Sequence, residues 1–368
     1  MHADDALLIS TSRSLFTKKC NLLNEYFDEN QLRLNLGKSG YLFVNGKKDD
    51  VKSRIELNKG FLDYKEELTY LGVKISDTGN MKEDIVSLLD GKRSNVTIKF
   101  TNFCTKNFLA PLDIKIKVLR SCVVSSLLYS CETWSLFMPN SIEVTHRTGI
   151  KTALNIRKSC CNEVVYLESG LYPLACEVKK RQLKFWNSIN SDDNELRYIQ
   201  RLLQLGKNVN LPFLKYYIEL ERIHITPEKC ITNLHTEYQV AWKTKIQEAY
   251  ITDRHSRLGA YLIVNPLLCT PEYAADILEY ERVTITKLRT GSHNLYVETG
   301  RFKNPRVPRE ERKCMCDTGV QTLEHVILNC PLLQHLRVDN LHSVSDYINS
   351  KYLIRFIINA AKILRIKL

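Results

Sequence analysis

Residues 113–134 read DIKIKVLRSCVVSSLLYSCETW, and their periodicity sets the fold class. Apolar side chains at Ile114, Ile116, Val118, Leu119, Cys122, Val123, Leu127, Leu128 and Cys131 recur at helical spacing. Asp113 reads as the N-cap of this helix, and the pattern ends near Trp134 and Pro139. The same period extends over residues 81 to about 280, with further segments at 142–155, 175–189 and 236–249. Composition agrees. Gly and Pro number 14 and 10 in 368 residues, roughly half their usual shares of about 7% and 5%, which argues against many-turned sandwiches and propellers.

Outside that block the pattern changes. Ala6-Leu7-Leu8-Ile9 is an apolar run of strand type, and a helical pattern covers 15–27. Leu32, Leu34 and Leu36 then alternate with polar residues, a second short run spans 41–44, and Asn45-Gly46 marks a turn. Tyr70-Leu71-Gly72-Val73-Lys74-Ile75 alternates again. The expected organisation is mostly α. A small α+β unit takes 1–78, a helical region 79–290, a basic loop with a Cys/His cluster 291–335, and an amphipathic helix 336–368. The stripe of that helix is Ile348, Tyr352, Phe356, Ile357, Ala360, Ile363 and Leu364.

The balance of 53 Lys+Arg against 41 Asp+Glu leaves +12, which suits a polyanionic partner, nucleic acid before membrane. The best apolar run, 121–131, is 11 residues against the roughly 20 that a span needs, so no membrane partner is expected. There is no signal-peptide pattern. The expected location is the nucleus or cytoplasm, with the 12 Cys reduced, metal-bound or packed as core. Cys104, Cys122, Cys131 and Cys176 read as core filler, and Cys160-Cys161 is an adjacent pair ill-suited to one metal. No Ser/His/Asp triad, P-loop or dinucleotide fingerprint is visible.

Three constellations carry chemistry. Cys314, Cys316, His325 and Cys330 are spaced C-x-C-x8-H-x4-C, three thiolates and an imidazole, the donor set of a closed tetrahedral Zn2+ site. Thr322 caps a short helix carrying His325, Pro331 ends it, and His335 is a substitute ligand. The rival reading is two buried thiols and a surface His. Residues 301–313 hold six cations (Arg301, Lys303, Arg306, Arg309, Arg312, Lys313), two acids and two prolines, an exposed loop suited to phosphate contacts. Lys179-Lys180-Arg181 with Lys184, Phe185 and Trp186 reads either as a second basic patch or as core rings beneath solvated charges. Third, Asp4-Asp5 precedes an apolar run, and held carboxylates suit Mg2+; the pair reads equally as a solvated acidic terminus.

The order of His2-Ala3-Asp4-Asp5, a helix, Leu34-Asn35-Leu36-Gly37-Lys38-Ser39 and Tyr70-Leu71-Gly72-Val73 resembles the end of the palm of LINE-type (non-LTR) retrotransposon reverse transcriptases. Residues 128–134 are similar to the YGCETW segment of such elements, and the Cys-Cys-His-Cys cluster to their C-terminal knuckle. The resemblance implies an RNA-directed DNA polymerase lineage. Asp4 and Asp5 would be catalytic Mg2+ ligands, Lys38 the triphosphate-side lysine, and Tyr70, Leu71 and Gly72 the primer grip. It implies RNA or DNA as partner. The family's separate catalytic Asp and dNTP-selecting helix would precede Met1, so the chain alone is expected to be inactive. The missing upstream half is then a further expected partner. With 38 residues after Cys330, an endonuclease is expected upstream rather than downstream. The alternative is a helical interaction protein with a purely structural zinc site.

Overall fold

The computed structural model describes residues 5–46, 53–134, 139–189, 200–201, 226–273 and 277–366. The chain is mostly helical with few, short strands. It divides into two compact units, one of residues 1–93 with 130–139 and one of 94–129 with 140–368, so residues 291–368 fall in the same unit as the helices that precede them.

In the first unit, Ser12 accepts from the amide of Leu15 and caps a helix over Arg13–Glu29. That helix places Phe16 and Cys20 against a core of Tyr41, Ile55, Leu57 and Leu62. Tyr41 packs edge-on to Phe43 and Tyr64, with ring centroids 5.5 and 5.6 Å apart. Two antiparallel hairpins complete the unit: β1 (Ile55–Leu57) with β2 (Gly60–Leu62), and β3 (Glu67–Tyr70) with β4 (Val73–Ser76). Residues 6–9 and 32–44 form no strand, against the alternating pattern; Tyr41 makes only an isolated bridge to Tyr64. The alternation at 32–36 is used only in part: Leu34 and Leu36 pack on the core, whereas Leu32 is 52% exposed. The first hairpin carries no clear turn pair and was not read from sequence.

In the second unit, the stretch that sets the fold class is helical from Leu112–Val118 through a π-turn, Leu119–Val124, to Ser125–Leu127. The helix starts two residues earlier than the Asp113 cap suggests. Pro111 is the N-cap and Asp113 lies in the first turn, where its carboxylate still faces the positive helix end. It also stops sooner: residues 128–130 turn, with Ser130 at φ 55°, and the short helix that follows, Cys131–Trp134, belongs to the first unit. Leu119, Leu127 and Leu128 are fully buried, while Cys122 is exposed rather than core.

Longer helices follow over Asn140–Leu154, Leu174–Ile189 and Pro227–Thr252. The last packs along Leu174–Ile189 and Arg257–Val264, and Trp242 stacks on Tyr166 at 5.1 Å. Two buried charged groups of this unit are answered by opposite charges. Lys115, 3% exposed, donates to Glu279 at 2.7 Å and to the Phe108 carbonyl at 2.9 Å. Glu168 accepts from Tyr261 at 2.6 Å and from Arg289 at 2.8 Å. The C-terminal segment is two helices, Val344–Ile348 and Leu353–Ile363, rather than one. Ser343 caps the first through the amide of Asp346. Phe356, Ile357, Ala360 and Leu364 are buried as the stripe requires, but Tyr352 is exposed because it is the N-cap of the second helix.

Candidate metal centre

The chain from Arg312 to Cys330 folds around four donor atoms. Lys313 pairs with Val320 in an isolated bridge, and the amide of Cys314 donates to the Gly319 carbonyl at 2.8 Å. Between them the chain reverses at Asp317, which has φ 57° and donates its amide to the Cys314 carbonyl. This tight loop holds Cys314 and Cys316 together. Thr322 then accepts from the His325 amide at 3.0 Å and starts a helical segment. From His325 to Asn329 that segment is a π-turn, and Cys330 donates its amide to the His325 carbonyl at 2.7 Å. Pro331 directly afterwards begins a 3-10 turn, Pro331–Leu336.

The result is convergence. One ligand atom from each of Cys314, Cys316, His325 and Cys330 lies within 4.8 Å of every other. Cys314 Sγ is 3.8 Å from Cys330 Sγ, and Cys316 Sγ is 3.2 Å from His325 Nε2. Zinc–sulfur bonds of about 2.3 Å at tetrahedral angles put two sulfurs about 3.8 Å apart, so the donors fit such an ion with little movement. A Cβ at position 319 would stand 3.3 Å from His325 Nδ1; glycine there lets the ring come close.

The environment favours one thiolate, at Cys316. Burial alone raises the Cys316 thiol, but hydrogen bonds from the Thr318 hydroxyl and amide, with His325 and Cys314, bring it down to about 6. Gln321 Nε2 donates to Cys314 Sγ at 3.9 Å. Cys330 goes the other way, pushed up by burial and by its neighbouring thiols. The cluster can therefore hold a metal ion. His335 is exposed and outside the four.

The six cations of the 301–313 loop separate. Lys303, Arg306 and Lys313 are exposed. Arg301 pairs with Glu298 at 3.2 Å, with 19% of its side chain exposed. Arg309 is half-buried. Arg312 is not a surface cation: it is 2% exposed and donates to the Val297 carbonyl at 2.8 Å and twice to the Val307 carbonyl at 2.9 and 2.6 Å. Its fork ties the loop down, so phosphate binding is withdrawn for this residue. The same fold leaves Phe302 56% exposed, with the guanidinium carbons of Arg157 and Arg257 at 5.3 and 5.4 Å from the ring centroid. In the Lys179 cluster Trp186 is buried and Phe185 half-buried, as the core reading requires.

In the first unit, Asp5 is exposed, and Asp4 lies outside the described residues. Lys38 is exposed in a turn, not a strand, because Asn35 accepts from the amides of both Lys38 and Ser39. Tyr70 and Val73 close β3 and β4, leaving Leu71 and Gly72 as the two turn residues at φ 47° and 74°. Positive φ at both positions is a type I′ turn, which joins two strands with their natural twist. Leucine tolerates that geometry poorly.

Comparison with protein-family models, curated proteins and solved structures gave no match.

Proposed function

We propose that the chain is a nucleic-acid-binding portion of a non-LTR retrotransposon reverse transcriptase, its Cys3His cluster filled by a structural Zn2+. The observation that carries the binding is Phe302. A ring 56% exposed with Arg157 and Arg257 near it, Lys303 next in sequence and Arg306 close along the chain, offers an unpaired base an apolar surface and its phosphates several cations. Three thiolates and an imidazole, with no fifth donor among the described residues, suit zinc held for structure rather than catalysis. The order of motifs supplies the lineage. On that reading the β3–β4 turn at Tyr70, Leu71 and Gly72 is the primer grip, and the strained Leu71 is supporting detail. Asp4, Asp5 and Lys38 serve Mg2+ and triphosphate only in a complete polymerase.

The test is the salt dependence of binding to single-stranded RNA and DNA. Affinity should fall by roughly 0.7 to 0.9 log units per log unit of salt for each phosphate neutralised. The triple variant Lys303→Gln, Arg306→Gln, Lys313→Gln should flatten that slope. No binding at about 50 mM salt, or an unaltered slope, would reject the reading.

A second reading, an interaction protein in which the metal only staples the C-terminus, is favoured by Arg312, a cation of the loop used wholly for structure. Salt-insensitive or absent nucleic-acid binding with intact metal would select it.

A further inference from the structure

We propose that a cavity between the Arg257–Val264 helix, the Glu279–Arg289 helix and the metal-binding segment binds a phosphate group. The cavity, about 80 Å3, is partly open, and Arg257, Arg289, Arg301 and Arg309 line it against the carboxylates of only Glu298 and Glu324. Such a volume exceeds several times the ~15 Å3 that one water needs.

Three guanidinium nitrogens here are buried without a hydrogen-bond partner: Arg289 Nη2, Arg301 Nε and Arg309 Nε. Arg289 is 5% exposed, and its Nε already serves Glu168. Arg301 Nε sits 3.2 Å from Glu298 Oε1 but is not aligned for a hydrogen bond. Buried donors left unmade are costly, and an oxyanion accepts from several at once. Glu298 cannot answer them all, because it also holds Arg257 at 3.2 Å.

The electrostatics run the same way. Burial lowers the Arg301 pKa, Glu298 opposes that, and Arg257, Arg312 and Arg306 lower it further, so these cations repel one another. His293, also in the wall, is held neutral by burial and by Arg157, and its Nδ1 accepts from the Leu295 amide at 3.3 Å. Its proton is therefore on Nε2, which makes the ring a further donor rather than a competing acceptor. Guanidinium forks match phosphate oxygens in spacing and charge.

This site shares Arg257 with the Phe302 surface but does not rest on the nucleic-acid reading, and it is tested with inorganic phosphate on the metal-loaded full chain by titration calorimetry. Saturable one-site binding is expected, at least tenfold weaker in Arg301→Gln/Arg309→Gln and unchanged in Lys82→Gln, an exposed cation of the first unit. If the double variant melts early, Arg309→Lys keeps the charge and removes the fork, and should still weaken binding. No saturable heat up to about 10 mM phosphate would overturn the proposal, as would equal affinity in folded variants. Competing oligonucleotides name the ligand's source. Displacement by a 5′-phosphorylated strand alone, by any strand, or by neither points to a terminal, backbone or free phosphate, and all three support the site.

Discussion

Arg289 and Glu168 form an ion pair of 2.8 Å inside the helical unit, with 4% and 0% of their side chains exposed. Such a pair is costly to assemble and costlier to break, because removing one partner strands the other charge. Arg289→Leu should therefore cost about 3–5 kcal/mol in denaturant unfolding. Replacing both, Arg289→Leu with Glu168→Leu, should recover much of that loss. A single variant as stable as the parent would show the pair to be idle.

Glu279 predicts how the unit meets acid. Burial raises its pKa, but hydrogen bonds and charge from Arg282 and Lys115 outweigh this and hold it below the ordinary value. A depressed carboxylate gives stability that is present above the usual glutamate range, about 4.3, and is lost as pH falls through the folded pKa. Unfolding measured from neutral pH downward should show a loss beginning below about pH 5, and Glu279→Gln should be less stable at neutrality with a shallower slope.

The metal cluster makes the third prediction. Metal analysis should give one zinc per chain, lost in Cys316→Ser and His325→Ala. Chelation should raise amide exchange over residues 313–336 while the helix around Leu119 and Leu127 stays protected. The ligation energy at stake is of order 10 kcal/mol in zinc peptides. Zinc content unchanged by both substitutions would show the cluster to be thiols and a histidine only.

Arg312→Gln should destabilise the chain by about 2–4 kcal/mol, because the Val297 and Val307 carbonyls lose their donors. Its effect on nucleic-acid affinity should be no more than its loss of folded protein. Lys303→Gln should behave oppositely, weakening binding at unchanged melting temperature.

At the β3–β4 turn, Leu71→Asn should raise stability by up to about 1 kcal/mol, since asparagine adopts positive φ with less strain. Gly72→Val should lower it. The thermal midpoints of both variants decide.

Legibility in the sequence followed distance along the chain. The four ligands could be read because they fall within one short stretch, where spacing alone nearly fixes geometry. The Leu71-Gly72 turn could not, because both residues lie inside an alternating run, 70–75, that reads as one strand. The pairs Lys115–Glu279 and Glu168–Arg289 could not, being 164 and 121 residues apart. The arginine cavity likewise draws on residues from three separate stretches. Arg312 was misread because composition reports how many cations a loop holds, not which of them turns inward. Leu34 and Leu36 satisfied their alternating pattern by burial alone, without the strand that usually accompanies it.

The hydrogen bond from the Cys330 amide to the His325 carbonyl spans five residues, one more than an α-turn. Losing a single residue from 326–329 would close an ordinary turn and swing the last sulfur about 100° around the helix axis, away from its three companions. Side chains have latitude only at Leu328, half-buried, and Asn329, exposed, because Val326 and Ile327 are buried. Length has none. Positions 328 and 329 should absorb point substitutions over generations while the whole stretch rejects insertions and deletions, a signature quite unlike that of the loop before it.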